Sequence, residues 1–177
     1  MFESFSKLVK ERQSCRNFTD KKVEESKIEK IMDLAMLAPS ACNSQPWKMY
    51  CVTSEQAVNN VRESLQLNDR NKFLDNVSTF IAVADQQATL KPGMENRIDR
   101  NRFVQYDVGE LVAYITLTAK SIGLDTCIIG WMDEEKLHSS LGLSENEHCR
   151  LVVALGYGDT PLREKIRKDK DTIIKRV

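Results

Sequence analysis

The longest helical pattern in the chain is VQYDVGELVAYITLTAKSI, residues 104–122. Its apolar residues recur every three or four positions; they are Val104, Val108, Leu111, Val112, Ile115, Ala119 and Ile122. This spacing places them on one face of an α-helix, and Gly123 follows where a helix commonly ends. Because so apolar a helix needs cover from other elements, we expect it to lie in the middle of the core.

Shorter patterns extend outward from this helix in both directions. Helices are predicted over residues 2–12, 24–38 and 133–141 and after Ser54, and strands over 48–53, 79–84, 126–129 and 149–155. Pro39 is expected to stop the second helix, while Ser54 and Asp133 are suited to cap helices. Strands and helices neither alternate strictly nor separate into two blocks. The sequence therefore predicts one α+β domain over 1–177, with helices flanking a central sheet.

Composition excludes several classes of protein. Lys plus Arg and Asp plus Glu both number 26, so no net positive charge would attract nucleic acid or a membrane surface. The N-terminus lacks a secretory pattern, and no apolar run approaches the ~20 residues that span a bilayer. The five cysteines include no Cys-x-x-Cys pair. We therefore expect reduced, mostly buried thiols in a cytoplasmic protein, and no metal site.

Common nucleotide-binding and catalytic motifs are missing. The chain has seven glycines but no Gly-x-Gly-x-x-Gly, no phosphate-binding loop ending in Gly-Lys, no Gly-x-Ser-x-Gly and no His-Glu-x-x-His. If the protein is an enzyme, its chemistry is therefore expected to belong to a cofactor that is held in another way.

Three segments are candidates for binding. Arg12, Ser14 and Arg16 alternate, so in an extended segment they would face one side and could hold a phosphate; the alternative is a solvated basic turn. Residues 38–47, APSACNSQPW, offer polar side chains and a Trp to a planar heterocycle, or form only a helix-to-strand turn. Residues 163–177 carry excess positive charge that suits an anion, or form a solvated tail.

Together these segments resemble the nitroreductase family. The family pattern Arg-x-Ser-x-Arg/Lys-x-Phe is matched by Arg12, Ser14, Arg16 and Phe18, and its loop Ala-Pro-Ser-x-x-Asn-Ser-Gln-Pro-Trp by residues 38–47. A later Asp-x-Gly is matched at Asp107 and Gly109, a Gly-Leu-x-Thr-Cys-x-Ile-Gly segment at 123–130, and a Lys-x-Arg pair at Lys165 and Arg167. The short segment between Ala84 and Phe103 is similar to that of shorter members.

The resemblance implies a homodimer with a mixed or antiparallel sheet and FMN at the subunit interface. It assigns the phosphate and ribityl chain to Arg12, Ser14, Lys165 and Arg167, and the N1/O2 edge of the ring to Arg16. It assigns the face of the ring to Pro39, Ser40, Asn43 and Gln45, partly from the other subunit, and flavin N5 to the backbone of Ile129 and Gly130. Asn68, Asp69 or Asn71 would also contact the flavin.

The implied function is an FMN-dependent oxidoreductase with ping-pong kinetics. NADH or NADPH would pass a hydride to flavin N5, and a nitroaromatic, a quinone or another flavin would then accept the electrons. The alternatives are a flavin-storing or flavin-binding module and a relative with specialised flavin chemistry.

Two further expectations concern single segments. Cys42 stands where many members have glycine; we expect a small packed thiol there, the alternative being a thiol that reacts during turnover. The tail, about 162–177, is expected to cross to the partner subunit. Residues 172–174, Thr-Ile-Ile, have the β-branched character to pair with a sheet edge.

Overall fold

The structure is a computed structural model, and it describes residues 1–89, 93, 99 and 101–177. Residues 90–92, 94–98 and 100, in the short segment between Ala84 and Phe103, lie outside the described residues. The described helices are α1 (Phe2–Glu11), α2 (Glu25–Ala35), α3 (Glu55–Leu65), α4 (Val104–Ser121), α5 (Glu134–Leu141) and α6 (Lys170–Ile173). The described strands are β1 (Trp47–Val52), β2 (Thr79–Asp85), β3 (Asp125–Ile129) and β4 (His148–Gly156).

The four strands form one sheet in the order β1-β2-β4-β3, and every neighbouring pair is antiparallel. Trp47 pairs with Asp85, Thr79 with Leu155, and Asp125 with Gly156. The predicted α+β class is confirmed, and the sheet is antiparallel rather than mixed.

Strand β2 lies in the interior of this sheet and is buried along its whole length. Phe80 and Ala82 pack into one apolar cluster, and Ile81 and Val83 pack into another. Successive side chains of a strand point to opposite faces, so each face of the sheet has its own core. Helices α2 and α4 cover one face, and α3 and α5 cover the other.

Helix α4 confirms the prediction made from its pattern. Leu111 and Ile115 are completely buried, and the helix contacts α2, α1 and strands β2, β3 and β4. The predicted caps are also confirmed: Ser54 accepts a hydrogen bond from the backbone N–H of Ala57 at 3.4 Å, and Asp133 from that of Lys136 at 3.0 Å. None of the described helices combines the length and the apolar character needed to cross a bilayer.

In the single chain, residues 170–173 form the short, exposed helix α6, and the expected pairing of 172–174 with a sheet edge of the partner subunit stays a prediction. One expectation is wrong. The thiols are not mostly buried: Cys15 and Cys127 are buried, Cys149 is partly buried, and Cys42 and Cys51 are exposed. Cys51 lies on the edge strand β1 and Cys42 on a loop, where less of the chain covers a side chain.

Candidate functional site

The segment after α1 crosses the edge of strand β3 in an extended conformation. The backbone N–H of Cys15 donates to the carbonyl of Thr126 at 2.9 Å, and Ser14 forms an isolated parallel bridge with Thr126. Cys15 therefore points into the core and is 1% exposed, while Arg16 is exposed. The alternation that the sequence predicted for Arg12, Ser14 and Arg16 follows from this backbone.

These three side chains share one neighbour, the buried thiol of Cys127 on β3. Burial raises the pKa of Cys127, and the positive charges of Arg16 and Arg12 and a hydrogen bond with Ser14 act in the opposite direction. The extended backbone places Arg12, Ser14 and Arg16 on the side of the segment opposite Cys15. The alternative of a solvated basic turn does not describe Arg12, which is partly buried.

The basic tail folds back onto this segment. The Lys165 ammonium donates hydrogen bonds to the carbonyls of Val9 (3.0 Å) and Arg12. Partial burial lowers the pKa of Lys165, and the nearby positive charges of Arg167 and Arg12 lower it further. Lys165, Arg167 and Arg12, which the sequence placed at one site from opposite ends of the chain, therefore form one cationic cluster.

The guanidinium of Arg12 is the most informative group in this cluster. Its Nε and Nη2 atoms are buried and have no hydrogen-bond partner among the described residues. Burial also lowers the pKa of Arg12 below its ordinary value. Buried donors without partners and gathered positive charges both raise the free energy of the isolated chain, and a bound anion would relieve both.

Three of the hydrogen bonds that hold the loop of residues 38–47 involve a side chain. The Ser40 hydroxyl accepts from the backbone N–H of Gln45 at 2.9 Å, and the Gln45 amide donates to the carbonyl of Asn43 at 3.1 Å. The buried carboxylate of Asp107 on α4 accepts from the N–H of Ala41 at 3.1 Å. Pro39, Asn43 and Gln45 are exposed and Ser40 partly so, which leaves them open to a ligand.

The backbone of this loop enters the left-handed region at three positions without glycine. Cys42, Asn43 and Gln45 have φ angles of 55°, 54° and 46°. The expectation of a packed Cys42 is wrong, because this left-handed turn projects the side chain into solvent. The left-handed backbone explains why glycine suits position 42.

One chain does not bring this loop together with the cationic cluster. The loop precedes β1 and the cluster lies against β3, at opposite edges of the sheet. Three strand spacings of about 4.8 Å separate the two edges by roughly 14 Å. A cavity of about 610 Å³ lies between the first turns of α2 and α3, near Asp20, Glu25 and Thr79, but no predicted site residue lines it.

The predicted N5 contacts lie where β3 ends. Ile129 is buried as the last residue of β3, Gly130 is exposed, and Trp131 follows with 52% of its surface exposed. Of the three alternatives in the neighbouring loop, Asn71 donates its amide to the carbonyl of Leu65 at 2.8 Å and Asp69 pairs with Lys72. Asn68 is exposed and has no partner among the described residues, so it remains available to a ligand.

Sequence reasoning missed several residues at this site. Gln13 donates to the carbonyl of Pro161 and accepts from Arg163, whose guanidinium also donates to the carbonyl of Ser14 at 2.7 Å. These contacts join residues that are 148 to 150 positions apart in the sequence, so no local pattern predicts them. Trp131 had a local signal, since a Trp directly follows the predicted contact at Gly130.

Comparisons with known proteins identify the family of this chain. A family model described as the nitroreductase family matches residues 9–157. A protein from Archaeoglobus fulgidus whose name includes "NAD(P)H nitroreductase" is 31% identical over 160 residues, covering 88% of this chain and 86% of its own. The oxygen-insensitive NADPH nitroreductase of Helicobacter acinonychis is 28% identical, covering 97% and 96%.

Solved structures share the fold. A Streptococcus pneumoniae nitroreductase family protein superposes with a TM-score of 0.83 at 22% identity, over 98% of this chain and 100% of its own. A protein from Exiguobacterium sibiricum whose name includes "nitroreductase in complex with FMN" superposes with a TM-score of 0.86 at 20% identity, over 98% and 97%.

Proposed function

Because this chain belongs to the nitroreductase family, we propose that it is an FMN-dependent oxidoreductase that transfers electrons from NADH or NADPH to an electron-poor small molecule. The observation that carries the proposal is the cationic cluster of Arg12, Lys165 and Arg167. Its unpartnered, buried Arg12 donors need an anion, and the FMN phosphate supplies one of suitable charge.

The remaining residues have roles suited to a ring attached to that phosphate. Ser14 lies between the arginines and offers a hydroxyl to the ribityl chain. Arg16, exposed beyond it, is assigned to the N1/O2 edge of the ring, and the backbone after Ile129 to N5. Asn68, rather than Asp69 or Asn71, is the loop residue proposed to contact the flavin, because its amide is not already engaged.

Bound FMN supplies the two-electron chemistry that links the nicotinamide donor to the acceptor. Reduction of a nitro group to a nitroso group consumes two electrons and two protons and releases water. NAD(P)H provides the two electrons and one proton as hydride, and solvent provides the other proton. The chain positions the reactants and stabilises charge, and it needs no nucleophilic side chain.

We further propose that the site is completed by a second copy of the chain. Pro39, Ser40, Asn43 and Gln45 lie at the opposite sheet edge from Arg12, so a partner's loop is the simplest source of the ring-lining residues. The outer face of α4 supports this, because Tyr106 and Tyr114 are exposed and a side chain at Gly109 would meet no atom within 4 Å. Glycine inside a helix is destabilising, so close approach of a partner helix would explain its presence.

The test is anaerobic mixing of the purified, FMN-saturated protein with NADH or NADPH while the oxidised flavin absorption band is recorded. Rapid bleaching, followed by recovery of the band when a nitroaromatic or a quinone is added, is the expected result. A band that neither nucleotide bleaches would contradict the proposal and favour a flavin-storing module. Bleaching without recovery by either acceptor would favour specialised flavin chemistry.

A further inference from the structure

An arginine–tryptophan pair beside the proposed flavin site has no role in the scheme above. Trp131 directly follows Gly130 and is 52% exposed, and the guanidinium carbon of Arg70 lies 5.1 Å from the centre of its ring. A Trp side chain buries a large apolar area in most proteins, so one that stays half exposed at the end of a strand calls for an explanation.

The loop that carries Arg70 connects the two parts of the proposed ring site. Three residues after Arg70, the ring of Phe73 lies 6.0 Å from the guanidinium carbon of Arg16. One end of this short loop therefore lies beside Arg16, proposed for the N1 edge of the flavin. The other end lies beside Trp131, next to the residues proposed for N5. A ligand over the ring would be within reach of Arg70.

No carboxylate among the described residues pairs with Arg70. The adjacent Asp69 pairs with Lys72 instead, at 3.0 Å. The loop is also fixed in place, since the Asn71 amide donates to the carbonyl of Leu65 at 2.8 Å. The guanidinium therefore lies beside the indole, and its fork of N–H donors suits a planar, two-oxygen acceptor such as a carboxylate.

We propose that Arg70 and Trp131 select an electron acceptor that is an aromatic carboxylate. The indole stacks on the aromatic ring of the acceptor, and the guanidinium pairs with its carboxylate. This inference rests on the proposed function, and it names the class of acceptor: a nitroaromatic or quinone ring that carries a carboxylate substituent.

The kinetic test compares two acceptors that differ only in charge, para-nitrobenzoate and its methyl ester, with the FMN-loaded enzyme and NADPH. The ratio of kcat/KM for the carboxylate to kcat/KM for the ester is expected to fall about tenfold or more in Arg70→Gln, as loss of a charge-assisted hydrogen bond implies. Lys72→Gln, made and compared in an Asp69→Asn background, is the matched control, because it removes one charge from the same loop without leaving Asp69 free to pair with Arg70. An equal fall in Lys72→Gln would assign the effect to the general electrostatic field and overturn the inference.

A binding measurement provides a readout that does not depend on turnover. Benzoate and benzamide have the same ring and no reducible group, and quenching of tryptophan fluorescence reports their binding. Arg70→Gln is expected to weaken benzoate severalfold relative to benzamide, and Trp131→Leu to weaken both and abolish most of the quenching. Equal affinity of the wild-type protein for the two compounds would overturn the inference.

The two proposals fail in different ways. If the wild-type enzyme reduces the ester and the acid and Arg70→Gln leaves their ratio within about twofold, the acceptor assignment is wrong and the proposed function stands. If Arg70→Gln raises the KM for NADPH instead, Arg70 serves the donor and the assignment is wrong. If neither nitro compound is reduced, the proposed function itself fails.

Discussion

Arg12 and Arg16 are four positions apart, yet their surroundings differ. Arg12 is partly buried beside Lys165 and Arg167 and has buried donors without partners, whereas Arg16 is exposed and lies over the ring of Phe73. An anion of constant charge suits the first environment. A group whose charge changes during a reaction suits the second, because no described acceptor engages the exposed guanidinium of Arg16.

The two arginines are therefore predicted to affect different properties of bound FMN. Reduction leaves negative charge at the N1/O2 edge of the ring, so Arg16→Ala should lower the midpoint potential by tens of millivolts, about 1–2 kcal/mol over a two-electron couple. The phosphate charge does not change on reduction, so Arg12→Ala should chiefly weaken FMN binding. Photoreduction against reference dyes, with both variants saturated with FMN, measures the potential. A shift in Arg12→Ala without one in Arg16→Ala would reverse these assignments.

We predict that replacing Cys42 by glycine does not lower the free energy of unfolding. Its φ of 55° costs a residue with a Cβ about 1 kcal/mol or more, while glycine loses somewhat more chain entropy on folding. Cys42→Gly should therefore be as stable as the wild type or more so, and about 0.5–1 kcal/mol more stable than Cys42→Ala, which keeps the Cβ. Urea unfolding of the three proteins decides this, and a less stable Gly variant would show that the loop is not left-handed here.

The exposure of Cys42 also makes its reactivity testable. Mild iodoacetamide treatment with and without FMN, followed by mass spectrometry, should label Cys42 in the apoprotein and label it less when FMN is bound, if the partner's loop covers the ring. Negligible labelling in both states would exclude a thiol that reacts during turnover.

At the scale of secondary-structure elements, the carboxylate of Glu147 connects three strands. Glu147 directly precedes β4, and its partners lie on β1 and directly after β2. Glu147 is 4% exposed and accepts hydrogen bonds from the N–H of Ser144, the Tyr50 hydroxyl and the Gln86 amide, and it pairs with Lys48 at 3.2 Å. The bond from Ser144 and then the bond from Tyr50 are the largest causes that hold the pKa of Glu147 far below its ordinary value.

This lowered pKa predicts a specific loss of stability in acid. The contribution of Glu147 is present above the pKa of an unfolded glutamate, near 4.3, and is lost as the pH falls from there toward the lower pKa of the folded state. Wild-type protein should therefore lose more unfolding free energy between pH 6 and about pH 3 than Glu147→Gln does. Urea unfolding of both proteins at several pH values measures the difference. Parallel pH profiles would show that Glu147 is not held as a carboxylate by these donors.

In the whole molecule, a large apolar surface remains uncovered. Phe2, Phe5 and Val9 on α1 and Ile173 and Ile174 in the tail are exposed, and α1 has no buried residue at all. The proposed homodimer would cover these side chains.

Removal of the tail should therefore weaken both assembly and cofactor retention. A chain that ends before Thr172 is expected to dissociate at higher concentrations and to lose FMN, because the end of the tail, beyond the residues that pack on the segment after α1, is proposed to contact the partner subunit. A chain that lacks only residues 175–177 keeps Ile173 and Ile174 and serves as the control. Light scattering combined with the flavin-to-protein ratio measures both effects. A wild-type protein that is monomeric and fully loaded with FMN would contradict the shared site.

The sequence alone determined the elements and the local devices of this protein. Interactions between residues a few positions apart produce three of these features, and the local pattern of residues therefore predicts them. They are the 3.6-residue spacing in α4, the apolar run of β2 and the helix caps at Ser54 and Asp133. The alternation of Arg12, Ser14 and Arg16 was predictable for the same reason, once the segment was taken as extended.

Tertiary structure decided what depends on distant residues. The sheet order depends on strands that are far apart in the sequence. The tail cations likewise pack near Arg12, and Arg163 contacts Gln13, from the opposite end of the chain. Side-chain chemistry at one position does not specify such a distant partner. The exposure of Cys42 was mispredicted because small size alone does not place a side chain in the core. The left-handed turn of the folded loop directs the thiol into solvent.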